Sequence, residues 1–293
     1  MYSSCHLCPR DCGADRSSGK TGVCGMTDML RIARVGLHMW EEPCLSGTRG
    51  SGTIFFTGCN LGCIFCQNHE ISRHTPSLPG REYSVEDLSS AMLDLQNQGA
   101  HNINFVTGTH FVPHIIEGVA LARRNGLSIP TLYNCGGYES VETIRALEGT
   151  IDIYLPDMKF FSTEVSQKYT GAKDYFERAR DAIAEMVRQK PSQEFSSDGM
   201  LLRGVIVRHL MLPGLLFDTK HILDHLCETY GNTITISLMN QYTPMPGVPE
   251  ELSSPLSQKH YDSMVDYLTI LGQENAFTQE GGTVSESFIP DFE

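Results

Sequence analysis

The chain has 293 residues, which is enough for one large domain or two modest ones and for a substantial hydrophobic core. Its 35 acidic residues outnumber its 22 basic residues, the formal charge is −13, and no run of basic residues is present. These features argue against nucleic acid or an anionic membrane as a partner, because both are recognised through clustered basic side chains.

The first residues, Met1-Tyr2-Ser3-Ser4-Cys5, lack the charged-then-apolar pattern of a signal peptide. No apolar stretch approaches the length of a membrane span. We therefore expect a cytoplasmic protein. In such a chain, ten cysteines indicate metal or redox chemistry rather than a disulfide framework.

Residues 1–50 are predicted to form a loop-rich extension that contains four cysteines, Cys5, Cys8, Cys12 and Cys24. Four thiols are enough for a closed tetrahedral zinc site, and equally for an auxiliary iron–sulfur cluster. The residues leave this choice open. Four unrelated reduced thiols are the weaker alternative, because the surrounding sequence is too polar to bury them.

Residues 38–47 connect this extension to the rest of the chain. Trp40, the only tryptophan, is expected to be a core anchor. Glu41 and Glu42 are adjacent, so they need not face one another as a general acid and base do, and we expect a solvated turn or a salt bridge.

The next segment combines a strand with a cysteine motif. Residues 52–57 are apolar and predict a buried strand, which leads into Cys59, Cys63 and Cys66 at a Cys-x3-Cys-x2-Cys spacing. An iron–sulfur cubane normally takes four cysteines, so three leave one iron open for another ligand. The alternatives are a zinc loop, which usually needs four ligands, and inert buried thiols.

This motif resembles that of the radical S-adenosylmethionine (radical SAM) superfamily, Cys-x3-Cys-x-aromatic-Cys, with Phe65 at the aromatic position. The resemblance implies a 4Fe–4S cluster whose fourth iron binds the amino and carboxylate groups of S-adenosylmethionine. It also implies that the reduced cluster cleaves this cofactor to methionine and a 5′-deoxyadenosyl radical.

From residue 51 onwards, apolar strand-like runs alternate with amphipathic helical patterns. Strands are predicted at 52–57, 102–107, 130–134, 151–155, within 201–212, and at 233–239. Helices are predicted at 84–95, 114–124, 139–147, 175–189, from an Asp218 cap towards Gly231, and at 257–271. The pattern predicts an α/β fold, a partial open (β/α)6 barrel of the TIM type over residues 51–272. A doubly wound sheet is the alternative, but the first loop lacks its glycine-rich phosphate fingerprint. Residues 273–293 are predicted to be an acidic, poorly packed tail.

Chemistry in parallel barrels gathers where the strands end. The residues there that suit a cofactor are hydroxyl, amide and charged side chains, namely Thr107, Thr109, Asn134, Asp157, Lys159 and Arg208. In an extended chain Asp157 and Lys159 point the same way, which allows an opposite-charge pair or separate contacts to a cation and a carboxylate. The planar fork of Arg208 can hold the cofactor carboxylate, and the alternative for it is a salt bridge between strands.

Segments across most of the chain resemble the pyruvate formate-lyase activating enzyme-like group, and more closely its uncharacterised branch with an N-terminal cysteine cluster. These segments are 5–12, 40–43, 51–56, 66–68, 102–104, 154–159 and 208–210. The resemblance implies that Cys59, Cys63 and Cys66 bind the cluster, that Phe65 lies beside the adenine, and that Asn68, Asp157, Lys159 and Arg208 lie at the cofactor. Thr107-Gly108-Thr109 stands where the group has Gly-Gly-Glu.

The functional hypothesis is reductive cleavage of S-adenosylmethionine followed by hydrogen abstraction. The target is a glycyl radical enzyme, and a reduced flavodoxin or ferredoxin-type protein is the electron donor. One alternative keeps the radical and changes the target to another peptide or a small metabolite. The other is a non-catalytic iron–sulfur electron carrier, which would not need the cofactor residues at the strand ends.

Overall fold

The computed structural model describes residues 1–72 and 78–279. Its strands are β1 (Arg31–His38), β2 (Ser51–Phe56), β3 (Arg81–Glu82), β4 (Ile103–Val106), β5 (Thr131–Cys135), β6 (Ile153–Pro156), β7 (Glu194–Phe195), β8 (Leu201–Leu210), β9 (Thr235–Met239) and β10 (Ala276–Thr278). Its helices are α1 (Pro43–Ser46), α2 (His69–Ser72), α3 (Val85–Asn97), α4 (Val112–Arg124), α5 (Val141–Ala146), α6 (Thr163–Thr170), α7 (Tyr175–Gln189), α8 (Leu216–Tyr230) and α9 (Gln258–Ile270).

One mostly parallel sheet organises these elements, in the order β10-β9-β8-β6-β5-β4-β2-β1-β3, with β7 paired to β8. The six predicted strands are β2, β4, β5, β6, β8 and β9, and they lie side by side in chain order, all parallel. The sheet does not close on itself. The structure therefore confirms the partial, open TIM-type barrel.

Local sequence explains why the predicted helices form. At the start of α3, the Ser84 hydroxyl accepts a hydrogen bond from the Asp87 N–H at 3.0 Å, and the Asp87 carboxylate accepts one from the Ser84 N–H at 2.9 Å. This capping box satisfies backbone donors that the helix leaves unpaired. Leu88, Met92 and Leu95 then lie on the buried face, as their spacing predicts.

Several elements differ from the prediction. β1 comes from the predicted N-terminal extension and pairs with β2 in antiparallel fashion, while β10 comes from the predicted tail and pairs with β9. Both predicted domain boundaries, at residues 50 and 272, thus lie between strands that pair in one sheet. Asp218 does not cap a helix: α8 begins at Leu216, and the buried Asp218 carboxylate accepts the N–H groups of Phe161 and Ser162 instead. Residues 280–293 of the predicted tail lie outside the described residues.

A short segment before β2 packs on the inner face of the sheet. Cys44 and Leu45, in α1, form a small apolar cluster with side chains from β5, β6 and β8, namely Leu132, Ile153, Leu155, Leu201 and Ile206. Anchored there, α1 brings the preceding Glu41 and Glu42 next to the ends of the strands. Trp40 is not the predicted core anchor, because 56% of it is exposed.

Within the two described ranges, no helix is both long and apolar enough to cross a bilayer.

Candidate functional site

A cavity of about 220 Å³ lies at the carboxyl ends of the parallel strands. Ten of the eleven residues predicted at this site line it: Cys59, Cys63, Phe65, Cys66, Asn68, Thr107, Asn134, Asp157, Lys159 and Arg208. These residues come from the ends of several strands and from the loop after β2. Residues up to 149 positions apart in the chain therefore contribute to one site.

The three motif cysteines lie in the loop after β2. The Leu61 N–H donates to Cys59 Sγ at 3.4 Å, and the Ser72 hydroxyl donates to Cys66 Sγ at 3.3 Å. The loop begins at Gly58, with φ of +87°, where an added Cβ atom would lie 2.6 Å from the Cys24 carbonyl oxygen. Only glycine permits this backbone conformation next to so close a neighbour.

Burial raises the pKa of both the Cys59 and the Cys63 thiol above the usual value for cysteine. The nearby Lys159 ammonium acts in the opposite direction and lowers both pKa values, but burial outweighs it. A bound metal centre is what holds such thiols as thiolates. In the part of the chain that the structure describes, no three His, Cys, Asp or Glu side chains are grouped around a single-ion position. A cubane binds each thiolate at a separate iron, so three thiols spread around one cavity fit its donor set.

Asp157 and Lys159 form an ion pair on the cavity wall, with Nζ and Oδ2 2.5 Å apart and both side chains largely buried. Burial alone would lower the pKa of Lys159, but the Asp157 carboxylate and the Cys63 thiol hold it above its usual value. Of the two arrangements that the sequence allowed, the structure shows the opposite-charge pair. The pair is neutral as a whole, and both of its charges lie near Cys63.

Arg208 is held by two carboxylates. Its Nε and Nη2 donate to the two carboxylate oxygens of Glu42 at 2.8 and 2.7 Å, and Nη2 also donates to Glu41. The Arg208 and Glu42 side chains are only 14% and 5% exposed. The edge of the guanidinium predicted for the cofactor carboxylate is therefore occupied by Glu42. The structure shows a salt bridge, which was the alternative for Arg208 and one of the two expectations for Glu42. It joins β8 to the residue before α1 rather than joining two strands, because α1 anchors Glu42 beside β8.

Of the eleven residues predicted at this site, Thr109 is the one that does not line the cavity. The chain turns into a 3₁₀ helix at Thr109–Phe111, and the buried Thr109 hydroxyl donates to Glu139 at 2.6 Å. Tyr133 donates to the same carboxylate at 3.1 Å, and burial raises the pKa of Glu139 to about 8. Thr109 belongs to this buried network rather than to the cavity wall, and its predicted contact with the cofactor stays a prediction.

Phe65 reaches the cavity from an aromatic cluster. Its ring packs edge-on against Phe160, Tyr169 and Tyr242, with ring centroids 6.0, 6.2 and 6.5 Å apart. These contacts fix the orientation of the ring between Cys63 and Cys66. The aromatic position of the motif is thus rigidly placed.

The cavity also has lining residues outside this set of eleven, among them His38, Trp40, Glu41, Gln67 and Gln241. The Gln67 side-chain N–H donates to the Gln241 carbonyl at 3.1 Å, which ties the loop after Cys66 to the exit of β9. A signal for Glu41 did exist, because Trp40-Glu41-Glu42-Pro43 is one of the segments that carry the family resemblance. The sequence gave no reason to place Glu41 and Glu42 inside a barrel, because these adjacent acids lie on no predicted helix or strand.

The four extension cysteines lie near one another, away from the cavity. A Cβ atom on Gly22 would be 3.3 Å from Cys12 Sγ and 3.4 Å from Cys24 Sγ, so both sulfurs face the same glycine. Burial is the main cause that raises the pKa of Cys8 to about 12, and nearby Cys24 and Cys5 contribute to this rise. The structure gathers these four thiols, although no three of them surround a single-ion position in the described ranges.

Comparisons with known proteins agree with this geometry. The family model described as the radical SAM superfamily matches residues 53–226. Two relatives are uncharacterized proteins of Methanocaldococcus jannaschii. MJ0674 is 29% identical over 249 residues, covering 83% of this chain and 67% of that protein. MJ0808 is 23% identical over 197 residues, covering 62% and 54%.

Two solved structures share the fold. The FeFe-hydrogenase maturase HydG of Carboxydothermus hydrogenoformans is 15% identical with a TM-score of 0.54, over 79% of this chain and 54% of that one. SuiB of Streptococcus suis, bound to S-adenosylmethionine, is 12% identical with a TM-score of 0.50, over 76% and 48%. The chain thus spans about half the length of each of these two structures.

Proposed function

Because the chain belongs to the radical SAM superfamily, we propose that Cys59, Cys63 and Cys66 bind a 4Fe–4S cluster that cleaves S-adenosylmethionine reductively. The observation that carries this proposal is that three thiols line one cavity together with several polar side chains that can bind a cofactor. With S-adenosylmethionine at its open iron, the reduced cluster would supply a 5′-deoxyadenosyl radical for hydrogen abstraction.

The residues around the thiols have defined tasks in this proposal. Hydrogen bonds from Leu61 and Ser72 stabilise the negative charge on two sulfurs, and such bonds are among the factors that set a cluster potential. The packed ring of Phe65 and the surrounding apolar side chains limit water at the reacting centre. Lys159 adds a positive charge beside Cys63.

The charges of the site support S-adenosylmethionine as the ligand. Glu41, Glu42 and Asp157 are three carboxylates, whereas Lys159 and Arg208 are two cations, so this set carries one surplus negative charge. S-adenosylmethionine has a sulfonium, an ammonium and a carboxylate, and is therefore a net cation. Neutral partners for its polar groups are present in Asn68, Thr107 and Asn134.

As the target we propose a backbone glycine of a glycyl radical enzyme, with a reduced flavodoxin or ferredoxin-type protein as electron donor. The support is the resemblance of the segments quoted above, together with an open mouth where the half-exposed Trp40 lies at the cavity rim. An aromatic side chain at such a rim suits contact with an extended peptide. Another peptide or a small metabolite is the alternative target of the same chemistry.

For the four extension cysteines we propose a bound metal, as zinc or as a second iron–sulfur cluster. The support is the shared neighbourhood of the four sulfurs. A variant with Cys59, Cys63 and Cys66 all replaced by alanine isolates this site. Its iron and zinc contents, measured after anaerobic purification, are expected to give one metal type in fixed ratio to protein; metal-free protein would refute the assignment.

The test of the main proposal is anaerobic reconstitution with iron and sulfide, followed by dithionite and S-adenosylmethionine. We expect 5′-deoxyadenosine and methionine from the wild type and none from Cys63→Ala. Cys227→Ala, which changes a half-buried cysteine on α8 outside the cavity, is the matched control and should retain activity. An intact, reduced cluster that yields no 5′-deoxyadenosine would favour an electron carrier.

The target is tested separately. A candidate glycyl radical enzyme deuterated at glycine should transfer deuterium into 5′-deoxyadenosine and acquire a glycyl radical signal in electron paramagnetic resonance (EPR). Cleavage without deuterium transfer from any such protein would leave the cleavage activity standing and refute this target.

A further inference from the structure

One arginine of the cysteine-rich extension contacts the three-cysteine loop directly. Arg10 lies between Cys8 and Cys12 in sequence, and its guanidinium donates hydrogen bonds to the Asn60 carbonyl at 2.8 Å and the Leu61 carbonyl at 3.4 Å. Asn60 and Leu61 are the residues that immediately follow Cys59 in the motif loop. The extension is thus tied to the backbone between the first two motif cysteines.

The same guanidinium bonds a second segment. It donates to the carbonyls of Thr170 and Gly171, at the end of α6, at 2.7 and 3.0 Å. The Ile64 N–H in the motif loop bonds the Tyr169 carbonyl, also near the end of α6, at 3.0 Å. Arg10 therefore completes a bridge that fixes the motif loop against a helix end.

The position of Arg10 is set by the turn between Cys8 and Cys12. The Asp11 N–H bonds the Cys8 carbonyl at 3.0 Å, and Asp11 has φ of +45°, the one positive value at a non-glycine position among the described residues. Such a conformation persists only where the surroundings hold it. Cys8 and Cys12 flank this turn, so a metal bound to both sulfurs would hold its conformation.

A second contact runs in parallel. The Cys24 carbonyl packs against Gly58 so closely that a Cβ atom there would be 2.6 Å away. Cys24 shares a neighbourhood with Cys12 across Gly22. Two parts of the four-cysteine extension therefore contact the motif loop, Cys24 just before Cys59 and Arg10 just after it.

We propose that Arg10 is a positioning residue that couples the four-cysteine extension to the three-cysteine loop. When a metal holds Cys8 and Cys12, Arg10 stays on the Asn60 and Leu61 carbonyls and fixes Cys59 and Cys63 for cluster binding. When the extension loses its metal, Arg10 is released and the core cluster is held less tightly. This inference rests on the proposed function, because it takes both metal assignments from it.

The test compares Arg10→Ala and Arg10→Lys with the wild type and with the matched control Arg123→Ala. Arg123 also bonds a backbone carbonyl, that of Gly149, and an acidic side chain, but it lies at the opposite ends of the strands. The readouts are the rate at which a chelator removes the core cluster, its midpoint potential, and the change in its EPR spectrum on adding S-adenosylmethionine.

For Arg10→Ala we expect cluster loss at least about tenfold faster than in the wild type, because even one hydrogen bond to a charged donor corresponds to roughly that factor. We also expect a shifted potential. Arg10→Lys keeps the charge, but its single nitrogen cannot span four carbonyls, so it should behave like Arg10→Ala while retaining the fold. Wild-type kinetics and potential in the lysine variant would overturn the proposal.

Coupling is tested by a double-variant cycle with Cys8→Ala. The Cys8→Ala and Arg10→Lys changes act through one bridge, so the double variant should lose its cluster no faster than the more affected single variant. Independent, additive effects would refute the coupling. If the wild type binds its cluster but does not cleave S-adenosylmethionine, the proposed function is refuted, and the coupling can still be measured by this cycle. Normal cleavage with an unaffected Arg10 variant refutes only the coupling.

Discussion

Replacing Glu42 by glutamine tests whether the buried carboxylate–guanidinium pair holds the inner face of the barrel. Glu42 accepts two hydrogen bonds from Arg208, and both side chains are largely withdrawn from water. Removing one partner of a buried ion pair typically costs about 3–5 kcal/mol, because the other charge stays buried. Glu41 still contacts Arg208, so we expect a loss near the lower end, about 3 kcal/mol, in the free energy of unfolding.

The assay is equilibrium unfolding in urea under anaerobic, metal-free conditions. Arg208→Met combined with Glu41→Gln and Glu42→Gln should recover most of the loss, because this triple variant removes the buried guanidinium together with both of its carboxylate partners. Glu41→Gln is the matched control, because it keeps the Glu42–Arg208 pair and the side-chain oxygen at position 41 that accepts the Asn104 hydrogen bond. Its loss of unfolding free energy should be smaller than that of Glu42→Gln. A Glu42→Gln loss below about 0.5 kcal/mol, or a triple variant less stable than Glu42→Gln alone, would refute this reasoning.

The same pair makes a pH prediction with a definite sign. Burial alone would raise the pKa of Glu42, but Arg208 holds it below its usual value. A carboxyl whose pKa is lowered in the folded state stabilises the protein at neutral pH, and this stability is lost as the pH falls below about 4.5. Wild-type stability should therefore decline more steeply in acid than that of Glu42→Gln; parallel curves would contradict the assignment.

Two further predictions concern the threonines that follow β4 and the buried Glu139. Thr107→Val should weaken binding of S-adenosylmethionine to the reconstituted protein, because Thr107 lines the cavity. Thr109→Val should leave binding unchanged and lower the free energy of unfolding by about 1 kcal/mol, because it removes the hydrogen bond to Glu139. Equal effects of the two variants on binding would contradict the placement of the two threonines. Glu139 keeps its proton to about pH 8 in the folded state but releases it near its ordinary pKa when unfolded, so wild-type stability should fall as the pH rises from about 5 to 8. Glu139→Gln should flatten that slope, and an unchanged slope would show that another group causes it.

The six parallel strands could be predicted because each is a short apolar run followed by an amphipathic helix, which is a local pattern. β1 could not, because Arg31, Arg34 and His38 break up its apolar residues and Gly36 weakens the strand pattern. Its antiparallel place beside β2 is a tertiary choice. β10, with three residues, is too short to carry a pattern.

The grouping of Cys59, Cys63 and Cys66 at one cavity could be predicted because their spacing places all three in one loop at the end of a strand. The partner of Arg208 was not, because Glu42 lies 166 residues away and reaches the site only through the packing of α1. The burial of Thr109 could not be predicted either. The sequence places Thr109 just after a strand that ends at residue 107, and it gives no sign that the chain turns into a 3₁₀ helix at Thr109–Phe111 and directs this hydroxyl to Glu139.

The central claim is that three thiols leave one iron of a cluster open to S-adenosylmethionine. It is tested most directly by electron–nuclear double resonance (ENDOR) on the reduced, reconstituted protein with S-adenosylmethionine labelled with nitrogen-15 at its amino group. The account predicts a changed EPR spectrum on adding the cofactor and a hyperfine coupling from the labelled nitrogen. A fully reduced cluster whose spectrum ignores the cofactor and shows no such coupling would contradict it.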